Sequence, residues 1–160
     1  MLIRKAAADE MLALWGYHDT ELATPTARFF YSSISSGNTD FWTIESEGEL
    51  IGELYAFHEL SDRDFADGSV TAYLCAFRVR QEFRGQGLGT RLMETVLDDL
   101  RSQGFSRVTI GVDEERNERL YRRMGFISVV KECCTDPCAM DDNMQPVKED
   151  EPYLLLVRDL

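Results

Sequence analysis

The stretch Arg84-Gly85-Gln86-Gly87-Leu88-Gly89 decides how this chain is read. An apolar run, Tyr73-Leu74-Cys75-Ala76-Phe77-Arg78-Val79, precedes it, and a periodic segment from Leu88 to Gln103 follows it. The order predicts a strand, a tight glycine turn and a helix N-terminus. Such a terminus exposes N–H groups that have no partner within the helix, together with the positive end of the helix dipole. A phosphate or diphosphate suits that spot. The glycines permit positive φ and a close approach of backbone to ligand. Arg84 adds a forked, charge-assisted donor.

Three nucleotide-binding loops compete for this stretch. The P-loop requires Lys and then Ser or Thr after its last glycine, but Thr90-Arg91 follows Gly89. The dinucleotide fingerprint requires glycine at the third place after Gly87, where Thr90 stands. The third pattern, Arg-x-x-Gly-x-Gly, is met by Arg84, Gly87 and Gly89. Taken alone, the loop also reads as glycines that merely turn a strand into a helix beside a solvated arginine.

Two other segments bear on the choice. One is Leu120-Tyr121-Arg122-Arg123-Met124-Gly125-Phe126; the other is Ile3-Arg4-Lys5-Ala6 followed by Asp9. With the glycine loop they run in order from residue 3 to residue 126 and resemble the GCN5-related N-acetyltransferase (GNAT) superfamily. The loop looks like that family's acetyl-CoA diphosphate loop, and the later segment like its Leu-Tyr-x-x-x-Gly-Phe signature.

The resemblance implies an α/β (α+β) fold: one domain over residues 1–160, with a mixed, mostly antiparallel sheet of six to seven strands flanked by about four helices. It implies acetyl-CoA as co-substrate, no metal, and direct transfer of the acetyl group to a primary amine in a ternary complex. By the same resemblance, the strand before the loop splays from its neighbour, and the backbone of Phe77, Arg78 and Val79 meets the pantetheine arm. Backbone N–H groups of Arg84, Gly85, Gln86, Gly87, Leu88, Gly89 and Thr90 hold the diphosphate. Tyr121 matches the tyrosine that protonates the departing thiolate, although an aromatic core residue beside Leu120 is the plainer reading.

The chain also departs from the family pattern. The family often has Asn seven residues before the tyrosine, where this chain has Glu114. Asn117 stands where a small helix residue is usual, and a locally shifted helix start brings it to the coenzyme. Thr71 to Val79 contains no carboxylate to act as base. A water chain ending at Glu53, Glu59 or His58 stays open. Two other functions also stay open. One is a non-catalytic coenzyme A-binding sensor or interaction module, which turnover with an amine would exclude. The other is an unrelated nucleotide-binding protein, disfavoured by the missing P-loop lysine.

Composition sets wider bounds. The chain has 160 residues, 44% of them hydrophobic, enough for a sizeable core. Seventeen basic residues against 29 acidic ones give a net charge of −12. That balance argues against a nucleic-acid partner and suits a cationic small-molecule or peptide amine. No apolar run approaches the ~20 residues of a membrane span. The N-terminal Met1-Leu2-Ile3-Arg4-Lys5 lacks a signal-peptide core. The expectation is a cytoplasmic protein with reduced cysteines and no membrane partner. The resemblance also admits a homodimer.

The remaining elements are read from periodicity and caps. Strands are expected at Leu2–Lys5, Phe41–Glu45, Leu50–Glu59, Val70–Arg80, Arg107–Val112, Ile127–Glu132 and Tyr153–Arg158. Helices are expected at Asp9–Tyr17, at Pro25–Ser35 behind a Thr24 cap, at Leu88–Gln103 and at Glu115–Met124. Glu47-Gly48 reads as a hairpin turn. The acidic loop Ser61–Ser69 reads as a solvated turn that could border an acceptor site. Cys133, Cys134 and Cys138 lack the spacing and the fourth ligand of a zinc site, so Cys133–Asp142 is expected to be a polar, partly mobile excursion, which by the family resemblance could also help shape the substrate mouth.

Overall fold

In the computed structural model, which describes residues 1–160, the apolar run and its neighbours form a seven-stranded sheet. The strands are β1 (Leu2–Lys5), β2 (Thr39–Ser46), β3 (Glu49–Phe57), β4 (Thr71–Val79), β5 (Arg107–Val112), β6 (Ser128–Met140) and β7 (Pro146–Asp159). Their order across the sheet is β1-β2-β3-β4-β5-β7-β6. All neighbours are antiparallel except β4 and β5. A parallel pair needs a crossover connection. Here α3 (Leu88–Ser102) supplies it. The other helices are α1 (Ala8–Leu14), α2 (Pro25–Ser35) and α4 (Glu115–Arg123). The expected α/β architecture is the observed one.

Local chemistry explains most boundaries. Thr24 Oγ1 accepts from the Ala27 N–H at 3.2 Å, and Pro25 takes the first helical position. The Glu47-Gly48 turn joins β2 and β3 with both residues at positive φ. That twist matches a two-residue hairpin. The first helix differs from expectation. It begins at Ala8, and its start is held by Glu10, whose carboxylate accepts from the Ala7 N–H at 2.8 Å. Asp9 instead accepts from the Tyr31 hydroxyl at 2.8 Å.

The two sheet faces bury different sets of side chains. On one, Leu88, Leu92, Met93, Val96, Leu97 and Leu100 of α3 pack against Leu54, Ala56, Leu74 and Ile110. These positions recur every three or four residues, so one stripe of α3 faces the sheet. On the other face Met11 and Phe30 pack against Phe41, Tyr55, Phe57 and Tyr73. Tyr55 stacks on Phe41 with centroids 4.7 Å apart.

The cysteine segment is not an excursion. It is the far half of β6, and with β7 it forms a long two-stranded ribbon. Cys133, Cys138 and Met140 are buried, and Cys133 and Cys138 join the face that holds Met11 and Phe30. Tyr153 donates to the Thr135 carbonyl at 2.7 Å, and the Met140 N–H donates to Thr26 Oγ1 at 3.0 Å. Burial of Cys133, Cys138 and Met140 ties the ribbon to the domain, although three register shifts interrupt its pairing.

Candidate active site

The ladder between β4 and β5 runs only from Thr71↔Arg107 to Leu74↔Ile110. Beyond Leu74 the two strands part, and Cys75 to Val79 have no partner on the β5 side. The cause lies on β4. Ala76 has φ 52°, and the register against β3 shifts between Glu53↔Arg78 and Tyr55↔Cys75. A bulge inserts an extra residue and bends the strand away. The expected splay at Phe77, Arg78 and Val79 is present and begins two residues earlier, at Cys75.

The bent strand leads into the glycine turn. Gly87 caps α3 with φ 77°, a left-handed conformation that a side chain resists. Gly89 packs on β4: a Cβ there would lie 3.2 Å from the Phe77 ring. No amide from Gly85 to Thr90 donates to a protein acceptor, which leaves six consecutive N–H groups for a ligand. Arg84 holds the base of the turn, with its Nε donating to the Val79 carbonyl at 2.7 Å. That carbonyl is therefore engaged within the protein.

The parted strands and the turn open onto one cavity of about 1210 Å³. Phe77, Arg78, Val79, Arg84, Gly85 and Gly87 line it. So do Leu88, Gly89, Thr90, Asn117 and Tyr121. Of the expected binding residues only Gln86 is not part of its lining. Asn117 lies in the first turn of α4, where its Nδ2 donates to Asp113 Oδ1 at 3.2 Å. Glu114 caps that helix without a side-chain bond and pairs with Arg116 at 2.9 Å.

Tyr121 is a core residue and a cavity residue at once. Its ring is buried and packs edge-on against Phe126. Its hydroxyl has no hydrogen-bond partner in the protein and is not among the sealed polar atoms. Burial pushes the phenol pKa up to about 12, with Asp113 and Cys75 adding to the rise. The group therefore keeps its proton at neutral pH, as an acid catalyst must.

The structure separates the three candidate bases. His58 lies away from the cavity, 3.0 Å from Asp40 and against Phe105. Glu59 is exposed and pairs with Arg63 at 3.0 Å. Glu53 lies on β3 directly opposite Arg78, a cavity residue, and its Oε1 is 2.8 Å from Arg78 Nη2. That contact is an ion pair without hydrogen-bond alignment, so Oε1 makes no hydrogen bond. Burial raises the Glu53 carboxyl above its ordinary range, against the pull of Arg78.

The acidic loop does not border the cavity. Asp62 and Asp64 bind Lys131 at 2.7 and 3.0 Å, and Asp67 caps the turn through the N–H groups of Ser69, Val70 and Thr71. The carboxylates that do line it are Asp113, Asp136, Glu149, Asp150 and Glu151. Sequence reasoning singled out none of the five, and reached Asp136 only through the segment Cys133–Asp142. Their signal was the run Glu149-Asp150-Glu151 before an apolar strand, but its position depends on how the ribbon pairs. The three ribbon cysteines do not converge as ligands. Cys133 and Cys138 are buried and Cys134 is exposed, and burial pushes the Cys133 thiol up to about 11.

Comparison with known proteins agrees with this layout. A model of the Acetyltransferase (GNAT) family matches residues 4–126. N-acetyltransferase 8 of Rattus norvegicus is 33% identical over 107 residues, which are 66% of this chain and 47% of that protein. The chain spans about half the length of the curated relatives it matches. The polyamine N-acetyltransferase of Drosophila melanogaster superposes with a TM-score of 0.67 at 18% identity, over 99% of both chains. An aminoglycoside 6′-N-acetyltransferase solved with coenzyme A gives 0.65 at 14% identity, over 99% of this chain and 97% of that one. The structural likenesses show the shared fold, and the match over residues 4–126 shows the family: this chain belongs to the GNAT acetyltransferases.

Proposed function

We propose that the chain transfers the acetyl group of acetyl-CoA to a primary amine. One observation carries this reading: the parted edge of β4, the free-amide residues Gly85, Gly87, Leu88, Gly89 and Thr90, and Tyr121 all line one cavity. Amides at a helix N-terminus are suited to a diphosphate, and the open strand edge is suited to the amide groups of a pantetheine arm. Relatives named N-acetyltransferase and a neighbour solved with coenzyme A support the choice of ligand.

Acetyl-CoA brings an activated thioester; the chain's residues place it and manage protons. An alkylamine has a pKa near 10.4, so only about one molecule in a few thousand is neutral at pH 7. The neutral nitrogen attacks the carbonyl carbon, the C–S bond breaks, and its electron pair leaves on sulfur. Tyr121 gives that sulfur its proton. The proton lost by the amine passes to solvent and restores the phenol. Holding both reactants in one cavity removes much of the entropic barrier to their meeting.

The test is a panel of amines with acetyl-CoA, read as free thiol and as acetylated product. Transfer to any amine sustains the reading. Coenzyme A binding without transfer to any amine would replace it with a binding module.

A further inference from the structure

Two thiols meet behind the parted strand. Cys75 lines the cavity at the point where β4 leaves β5, and the Cys138 thiol of β6 adjoins it from the core. Cys138 is buried with Met11, Phe30 and Tyr55, and Cys75 and Ala76 pack against that same cluster. Neither cysteine is in a disulfide. A buried cysteine usually serves only as a small apolar side chain. This pair differs, because one sulfur belongs to the wall of an open cavity and the other is sealed directly behind it.

The backbone is irregular at both positions. Cys75 pairs with Tyr55 on the β3 side, next to the bulge at Ala76, and has no partner on the β5 side. Cys138 lies inside the register shift between Asp136 and Met140, so no β7 residue pairs with it. Its N–H donates to Asp136 Oδ1 at 2.9 Å instead. Bulged residues stand outside the ladder and can shift without breaking it. The approach of two adjoining sulfurs to a bond length of about 2.05 Å is a movement of that size.

We propose that Cys75 and Cys138 form a peroxide-sensitive pair whose disulfide weakens coenzyme binding. Peroxide enters the cavity and transfers an oxygen to the Cys75 sulfur; the O–O bond breaks, water leaves, and a sulfenic acid remains. The Cys138 sulfur then attacks the Cys75 sulfur. The S–O bond breaks, the Cys138 proton leaves with the hydroxide as water, and the disulfide forms. The two sulfurs have together given up two electrons, and the peroxide has taken them. Burial and the neighbouring Cys75 hold the Cys138 thiol protonated. The second step is therefore slow at neutral pH and quickens as the pH rises. The movement falls on Cys75 and the Ala76 bulge, directly before Phe77, Arg78 and Val79, whose open edge meets the coenzyme arm in the acetyl-transfer reading above. The identity of the ligand rests on that reading; the thiol chemistry does not.

The experiment treats the full chain with hydrogen peroxide, with and without acetyl-CoA, whose own sulfur is blocked. Remaining thiols are capped, and the peptides are mapped by mass spectrometry. Calorimetry reads coenzyme A affinity before oxidation, after it, and after dithiothreitol. The expected result is a cross-link between Cys75 and Cys138 that forms more slowly under acetyl-CoA. Affinity falls by about five-fold, as for one lost hydrogen bond, and dithiothreitol restores it. Cys138→Ala alters no residue of the cavity lining and binds coenzyme A as the wild type does. In that variant no cross-link forms, and Cys75 goes on to a sulfinic acid that dithiothreitol does not reverse. Free Cys75 and Cys138 after peroxide overturn the proposal. So does a cross-link to Cys133 or Cys134 instead, or one between Cys75 and Cys138 that leaves affinity unchanged. Failure of the reduced protein to bind coenzyme A overturns the ligand reading, while the peptide map still decides the thiol pair.

Discussion

Arg84 reaches back five residues to Val79, its Nε donating to the carbonyl at 2.7 Å. The side chain thereby braces the bend between β4 and α3 and keeps only its terminal nitrogens for a phosphate. The forked contact expected from the sequence is thus shared between a backbone brace and a ligand.

Arg84→Lys tests that division. Lysine keeps the charge but has no Nε–H, so the brace is lost. One hydrogen bond contributes about 1 kcal/mol, and coenzyme A affinity should weaken by roughly five-fold. Calorimetry on the folded variant checks it. Wild-type affinity would show that only the charge matters.

Gly87→Asp places a carboxylate beside the six free amides, at a position where a Cβ meets nothing within 4 Å. Asp tolerates positive φ better than most residues, so the fold should survive. The negative charge opposes a diphosphate, and the expected loss of coenzyme A affinity is at least about ten-fold. Unchanged affinity would remove the turn from the binding site.

Tyr121→Phe deletes one hydroxyl and keeps the packing against Phe126. Turnover should fall by about 10²–10⁴ while the Michaelis constant for acetyl-CoA changes little, because the lost interaction belongs to the transition state. The phenol at about 12 also implies no loss of rate from its ionisation until the pH approaches that value. Steady-state kinetics with an accepted amine, at several pH values, tests both. Wild-type turnover in the variant, with chemistry limiting, would shift the proton donor to solvent.

Glu53→Gln tests the buried carboxyl through stability. Its folded pKa lies above the ordinary value of 4.5, so the folded state binds the proton more tightly than the unfolded state. Stability from this group is therefore greatest below 4.5 and declines as pH rises through the folded pKa, then levels off. The Gln variant should lose that decline and show a flatter melting temperature against pH. A steeper dependence in the variant would reverse the sign assigned to the burial.

Elements governed by neighbours in sequence could be read from the chain alone. The stripe of α3, the Thr24-Pro25 start of α2, the Glu47-Gly48 turn and the glycine turn at Gly87 each follow from a spacing or a backbone requirement within a few residues. The pairing of Arg84-to-Gly89 with Tyr121 as the candidate site came instead from the family resemblance, which two compact motifs carry. What the tertiary structure decided involves residues far apart. The bulge at Ala76 is a register shift against β3, and the parting of β4 from β5 is an end to pairing; neither leaves a local pattern. The ribbon is held to the domain because Cys133 and Cys138 are buried beside Met11 and Phe30, more than a hundred positions earlier in the chain. Asp136 and the run from Glu149 to Glu151 reach the cavity only because β6 and β7 pair at that register. Charge and spacing are properties of the chain, but which carboxylates share a cavity with a glycine turn depends on long-range strand pairing, and that is settled only when the sheet closes its core.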